Sequence, residues 1–140
     1  MFSKANIFCT IVTAIWGFAG GYLLWGVIGD PLMADHMGSA AGVIKEMPDM
    51  FHLGIGCLVQ GFAFSTLYGK WANGSYHTAG GLNFGFWFAV LFGLGEGLIN
   101  YATSNILDLT GTFLNALIYA VFFIFMGVLA SLVFKNSAAR

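Results

Sequence analysis

The side chain with the most obvious chemical potential in this sequence is Glu96, which stands between two glycines in FGLGEGLINY, residues 92–101. Its other neighbours are almost all apolar. If this stretch lies in hydrocarbon, an ionised carboxylate is costly there, so Glu96 must be neutral, paired or next to water. Two interpretations follow. A protonated Glu96 donates a structural hydrogen bond to Gln60, Asn115 or a backbone carbonyl, worth about 0.6–2 kcal/mol, or a titrating Glu96 binds a proton, a cation or a polar ligand.

Other polar residues recur at depths that match the depth of Glu96. Asn100 lies one helical turn away, and Gln60, His52 and Asn115 fall in the corresponding parts of neighbouring apolar segments. The sequence therefore predicts one intramembrane polar site, made by Glu96, Asn100, Gln60, Asn115 and His52, in an outward-facing cavity. The interiors of the apolar segments contain no second charge, which disfavours a pump, because proton relays use several titratable groups.

Other chemistry has less support. The two cysteines lie in apolar runs and are predicted to pack as small apolar side chains. His36 and His52 have Asp35 and Asp49 nearby in sequence, but histidines at a membrane surface are usually solvated. No serine has a base at a recognisable spacing. We therefore predict no catalytic residue, no metal and no enzymatic activity.

The composition indicates the medium in which the chain folds. The chain is 59% hydrophobic and only 8% charged over 140 residues, and its mean hydropathy is +0.83. A water-soluble domain needs about 25% charged residues to cover its surface. Five Lys and Arg residues give no basic patch for nucleic acid. These values predict an integral membrane protein with a single transmembrane domain, residues 1–140.

Four apolar segments must position the polar residues. Each approaches or exceeds the roughly 20 helical residues that span a bilayer. They run approximately over Ala5–Ile28, Phe51–Lys70, Leu82–Tyr101 and Thr112–Phe134. The second and third connections are short, so helices two, three and four are expected to be antiparallel neighbours. The longer first connection, residues 29–50, includes SAAGVIKEM, which is a candidate for a short surface helix. The predicted fold is an all-α, four-helix membrane bundle of antiparallel hairpins.

The positive charges predict its orientation. Four of the five Lys and Arg residues lie at the termini or in the second connection, and one, Lys45, lies in the first connection. Since cytoplasmic connections carry the excess of positive charge, both termini are predicted to be cytoplasmic. The expected location is a bacterial inner membrane.

Small residues at four-residue spacing predict how the helices pack. No hydrophobic effect drives helices together within a bilayer, so close backbone approach along small side chains supplies the contact. The third segment has a small or polar side and a bulky side, with Phe86 as the exception. The predicted packing positions are Gly17 and Gly21 on helix one, Gly85, Ala89, Gly93 and Gly97 on helix three, and Ala116, Ala120, Gly127 and Ser131 on helix four.

The second half of the chain, from about residue 66, contains TLYGKW, a glycine turn, GLNFGFWFAVLFGLGEGLINYAT and a final MGVLASLVFK. With its spaced glycines followed by Asn100 and Tyr101, it resembles a group of small, uncharacterised bacterial four-helix integral membrane proteins. This resemblance implies a fold and no activity.

These observations favour a small non-enzymatic protein that acts through helix packing. It would be a homo-oligomer or an accessory subunit of a larger energy-transducing membrane complex, and its partners would be lipids and other transmembrane helices. The alternative is a small channel or a proton- or cation-coupled transporter with its cavity around Glu96. No cofactor is predicted, and a bound lipid, quinone or pigment stays open as a third interpretation.

Overall fold

A computed structural model describes residues 3–39, 42–43, 45 and 47–138. This part of the chain is helical, with no strand. Four helices are long and apolar enough to cross a membrane: α1 (Lys4–His36), α2 (Met50–Ala72), α3 (Thr78–Thr103) and α4 (Leu109–Ala138). The expectation of four helices with the composition of membrane spans is confirmed.

The first helix is longer than the sequence suggested. Asp30 and Pro31 look like a helix end, yet α1 continues to His36. The segment Tyr22–Gly29 is π-helical, and the backbone N–H of Asp30 donates to the carbonyl of Trp25, five residues back. Pro31 thereby falls in the first turn of the renewed α-helix, where a missing N–H costs little. The connection consequently begins at residue 37, and several residues of the expected SAAGVIKEM helix lie outside the described residues.

Side-chain caps begin α2 and α3, and a residue in the left-handed conformation ends α2. Asp49 accepts hydrogen bonds from the backbone N–H groups of Phe51 and His52 and so starts α2. Asn73, with a φ of 45°, ends α2 in the left-handed conformation that commonly terminates helices. His77 then caps α3, because its Nδ1 accepts from the N–H of Gly80 at 2.7 Å.

The helices pack in the spatial order α2, α1, α4, α3. The extensive interfaces join α1 with α2, α1 with α4, and α3 with α4. The expected packing of α2 beside α3 is limited to the end near their connection, where Phe64 and Tyr68 meet the ring of Phe84 at 5.0 and 5.4 Å between centroids. The short connection does bring these ends together, but α2 makes its extensive interface with α1.

Close backbone contact on α3 and α4 follows the glycines. A methyl group added to Gly85 would overlap the carbonyl of Phe123, and one added to Gly127 would overlap the carbonyl of Gly81. A methyl group added to Gly93 would lie 3.1 Å from the carbonyl oxygen of Ala116. Later residues of α3 face earlier residues of α4, so the two helices are antiparallel.

The contact of α1 with α2 also depends on a glycine. A methyl group on Gly61 would lie 2.8 Å from the carbonyl oxygen of Thr10 and 3.0 Å from the nitrogen of Ala14. Asn6 donates to the hydroxyl of Thr66 at 3.0 Å nearby. These two contacts hold α2 against one half of α1.

Candidate functional site

The five residues predicted to form one polar site fall into two separate places. Glu96, Asn100 and Asn115 line a cavity of about 170 Å³ between α3 and α4, which we call the α3–α4 cavity. Gln60 and His52 line a larger groove of about 530 Å³, bounded by α1, α2 and α4, which we call the α2 groove. The expectation of a single site is therefore corrected. It failed because α1 and α4 lie between α3 and the half of α2 that begins at Met50.

Local structure places Glu96 at a change in helix geometry. The preceding segment, Val90–Gly95, is π-helical, and the N–H of Glu96 donates to the carbonyl of Leu91. A π-helical turn inserts one residue into the α-helical repeat and is frequent at functional sites. Downstream, Gly97 lies against α4, with its hypothetical Cβ 3.5 Å from the methyl group of Thr112.

Glu96 has one hydrogen-bond partner in the described chain. Asn100 Nδ2 donates to Glu96 Oε1 at 3.5 Å, the long limit for such a bond. The structural interpretation expected a bond from Glu96 to Gln60, Asn115 or a carbonyl. In the described part of the chain, Glu96 bonds to none of these, and its side chain is exposed in the cavity.

Asn115 is oriented by a tryptophan. Trp25 Nε1 donates to Asn115 Oδ1 at 2.8 Å. The indole nitrogen can only donate, so the amide oxygen of Asn115 must face it, and the amide NH₂ is left for another acceptor. The same contact joins α1 to α4 at the level of the cavity.

The α2 groove has an aromatic floor and an amide without a partner. Trp25, Tyr119 and Phe122 form the floor, and Tyr119 also lines the α3–α4 cavity. Gln60 is exposed in the groove and has no hydrogen-bond partner among the described residues. Two of the predicted packing positions, Gly17 and Gly21, border this groove. A methyl group added to Gly17 would lie 3.5 Å from Gln60 Oε1, whereas one added to Gly21 would meet no described atom within 4 Å.

The remaining packing positions fall in the α3–α4 interface. Gly85, Ala89 and Gly93 are buried there, and Gly97 is half-buried at the edge of the cavity. This side of α3 thus contacts α4. Beyond the contact, Glu96 lines the α3–α4 cavity.

Two histidine–aspartate pairs lie at the helix ends. His36 Nδ1 is 3.0 Å from Asp108 Oδ2, and His52 Nδ1 is 2.7 Å from Asp49 Oδ2. The backbone N–H of Gly111 and then His36 lower the pKa of Asp108, while the hydrogen bond of His52 lowers that of Asp49. No group of three His, Cys, Asp or Glu side chains suited to a metal occurs in the described part of the chain.

Several lining residues were not predicted from the sequence, among them Trp25, Tyr119 and Thr112. Trp25 lines the α2 groove, whereas its position near the end of the shorter predicted helix is typical of a membrane-interface anchor. Tyr119 and Thr112 line the cavity with Asn115. Their spacing of three and four residues from Asn115 is the helical signal that would have found them.

Comparisons of the chain with family models, curated proteins and solved structures found no match. The resemblance of the second half to small bacterial four-helix membrane proteins stays a prediction.

Proposed function

We propose that this chain is a non-enzymatic protein of a bacterial inner membrane, with both termini cytoplasmic, that works by lateral association with other transmembrane helices. The four apolar spans support the location, and the positive charges of the termini and second connection support the orientation.

The observation that carries this proposal is the amide of Gln60, which has no hydrogen-bond partner among the described residues. It is the eleventh residue of the 23-residue helix α2, so it lies close to the middle of the span. An amide without a hydrogen-bond partner in hydrocarbon costs several kcal/mol, because lipid tails cannot replace water. A polar group from outside the chain would remove this cost.

The surroundings of Gln60 have room for another helix. Gly21 and Gly56 line the same groove as Gln60, and at both positions an added methyl group would meet nothing within 4 Å in the described part of the chain. Glycine permits close backbone approach in membranes, but no described element of this chain approaches these two positions. A neighbouring span at this face would gain close contact and reach Gln60.

Two kinds of partner fit. A glutamine amide both donates and accepts, so Gln60 can pair with Gln60 of a second copy across a twofold axis. A polar side chain from a different subunit of an energy-transducing complex would serve equally. The proposal covers both.

Purification in native lipid, by extraction with a styrene–maleic acid copolymer, tests this proposal. We expect wild type to be recovered with at least one further transmembrane chain, and Gln60→Leu to lose that chain. Val59→Leu is the matched control, since Val59 is an exposed neighbour without a polar group. Recovery of wild type as a single chain, with only lipid or quinone in the groove, would reject lateral association.

A second candidate function is a channel or a proton- or cation-coupled carrier. It is favoured by the meeting of Glu96, Asn100 and Asn115 in one cavity. In proteoliposomes, Glu96→Gln should abolish the flux of protons or cations while leaving the melting temperature of the protein nearly unchanged. Unchanged flux in this variant would remove Glu96 from any transport path.

A further inference from the structure

The α3–α4 cavity combines one carboxylate with aromatic walls. Glu96 supplies the charge, and the rings of Phe92, Tyr101 and Tyr119 line the same space. Aromatic faces attract cations, by about 0.5–2 kcal/mol. We propose that this cavity binds a small ammonium cation, for which Glu96 provides the countercharge.

The hydroxyl groups of the cavity are arranged to accept hydrogen bonds. Ser104 Oγ donates to the carbonyl of Asn100 at 2.8 Å, and Thr112 Oγ1 donates to the carbonyl of Asp108 at 2.9 Å. Their hydrogens are thereby engaged, and their oxygen lone pairs remain as acceptors. An ammonium group has hydrogens to donate and needs such acceptors in addition to a carboxylate.

Other classes of ligand fit less well. Calcium takes 6–8 oxygen ligands, usually with several carboxylates, and Glu96 is the only acid that lines the cavity in the described chain. No lysine or arginine in the described part of the chain lines the cavity to attract an anion. Its volume, about 170 Å³, compares with about 30 Å³ for one water in the liquid. There is room for an ammonium group on a short carbon chain.

The cavity's position allows two sources of this cation. Glu96 lies seven residues before Thr103, the last residue of α3, which corresponds to roughly 10 Å. Ser104, in the following connection, also lines the cavity. The cavity therefore reaches the end of the span, where lipid headgroups lie. A dissolved amine or the ethanolamine headgroup of a phospholipid would present the same ammonium chemistry.

The first arm of the test uses the full chain in nanodiscs of phosphatidylglycerol, a lipid without an ammonium group. Ethylammonium chloride is titrated at constant ionic strength and its heat of binding is measured. We expect saturable binding that Glu96→Gln weakens about tenfold or more, since a hydrogen bond to a charged group is lost. Asp35→Asn is the matched control, because it removes an exposed carboxylate that does not line the cavity.

The second arm replaces half of the lipid with phosphatidylethanolamine and counts retained lipid by native mass spectrometry. Retention by wild type and loss in Glu96→Gln would identify the headgroup as the source. Asp35→Asn is again the matched control and is expected to retain lipid like wild type, because Asp35 does not line the cavity. Melting temperatures show whether each variant is folded.

Binding in either arm that is lost in Glu96→Gln supports the proposal. The proposal is overturned if wild type and Glu96→Gln bind equally, or if neither arm shows binding. It is also overturned if sodium chloride, titrated in place of ethylammonium chloride, binds equally tightly. The inference rests on the α3–α4 cavity, which is also the basis of the second candidate function. It does not require that the protein transport protons or cations. The number of chains recovered in native lipid, which tests lateral association, should be the same for Glu96→Gln as for wild type.

Discussion

Replacing Gly85 by alanine probes the closest approach between α3 and α4. The added methyl carbon would lie 2.7 Å from the Cα of Ile124 and would overlap the carbonyl of Phe123. Carbon atoms in contact prefer about 3.5–4.0 Å, so the two backbones must separate by roughly 1 Å. Overpacking of this kind costs about 1–3 kcal/mol.

Alanine also favours the helix over glycine, by about 1 kcal/mol in water. Gly54→Ala supplies the matched control, because an added methyl group there meets nothing within 4 Å. The difference between the two variants isolates the steric cost at Gly85. We expect Gly85→Ala to have the lower free energy of unfolding, by about 1–3 kcal/mol.

The assay is reversible unfolding in mixed micelles of dodecyl maltoside and sodium dodecyl sulfate, followed by tryptophan fluorescence. The m-value should be the same for both variants, so that the comparison reports stability and not a change in compactness. Equal free energies of unfolding for Gly85→Ala and Gly54→Ala would refute the close α3–α4 contact.

Three further predictions concern the polar groups. Asn115→Leu leaves Trp25 Nε1 without its acceptor, so the free energy of unfolding in micelles should fall by about 0.6–1.7 kcal/mol; no change would show that the bond is unimportant. Asp108 has a lowered pKa, so its stabilising effect is present above its ordinary value of 3.8 and is lost as pH falls through the lower folded value. Melting temperatures from pH 5 to pH 2 should show this fall in wild type and a smaller one in Asp108→Asn; identical profiles would contradict it. Glu96→Leu should destabilise the protein no more than Asn115→Leu does, because the 3.5 Å bond to Asn100 is weak; a larger loss of stability in micelles would restore the structural role of Glu96.

The sequence was informative where one physical effect dominates. Hydropathy identified four membrane-length helices, because apolar length is a nearly sufficient condition for a span. The glycine spacing indicated which side of α3 meets another helix, and Gly85 and Gly93 do face α4. Neither inference needs knowledge of which helices are neighbours.

The polar site was harder to predict because it depends on the spatial order of the helices. Similar depth placed Gln60 beside Glu96, but depth does not specify which helices lie between two residues. Here α1 and α4 intervene. The end of α1 was missed for a related reason, since the π-helical register that accommodates Pro31 leaves no local signal in the sequence.

The central claim is that the chain crosses a bilayer four times with its ends in the cytoplasm. Labelling single cysteines with an impermeant maleimide tests this, in a chain where Cys9 and Cys57, both buried, are replaced by alanine. In spheroplasts, Ser104→Cys should react at once, whereas Ser75→Cys should react only after lysis. Labelling of Ser75→Cys in intact spheroplasts, or protection of Ser104→Cys, would contradict the account.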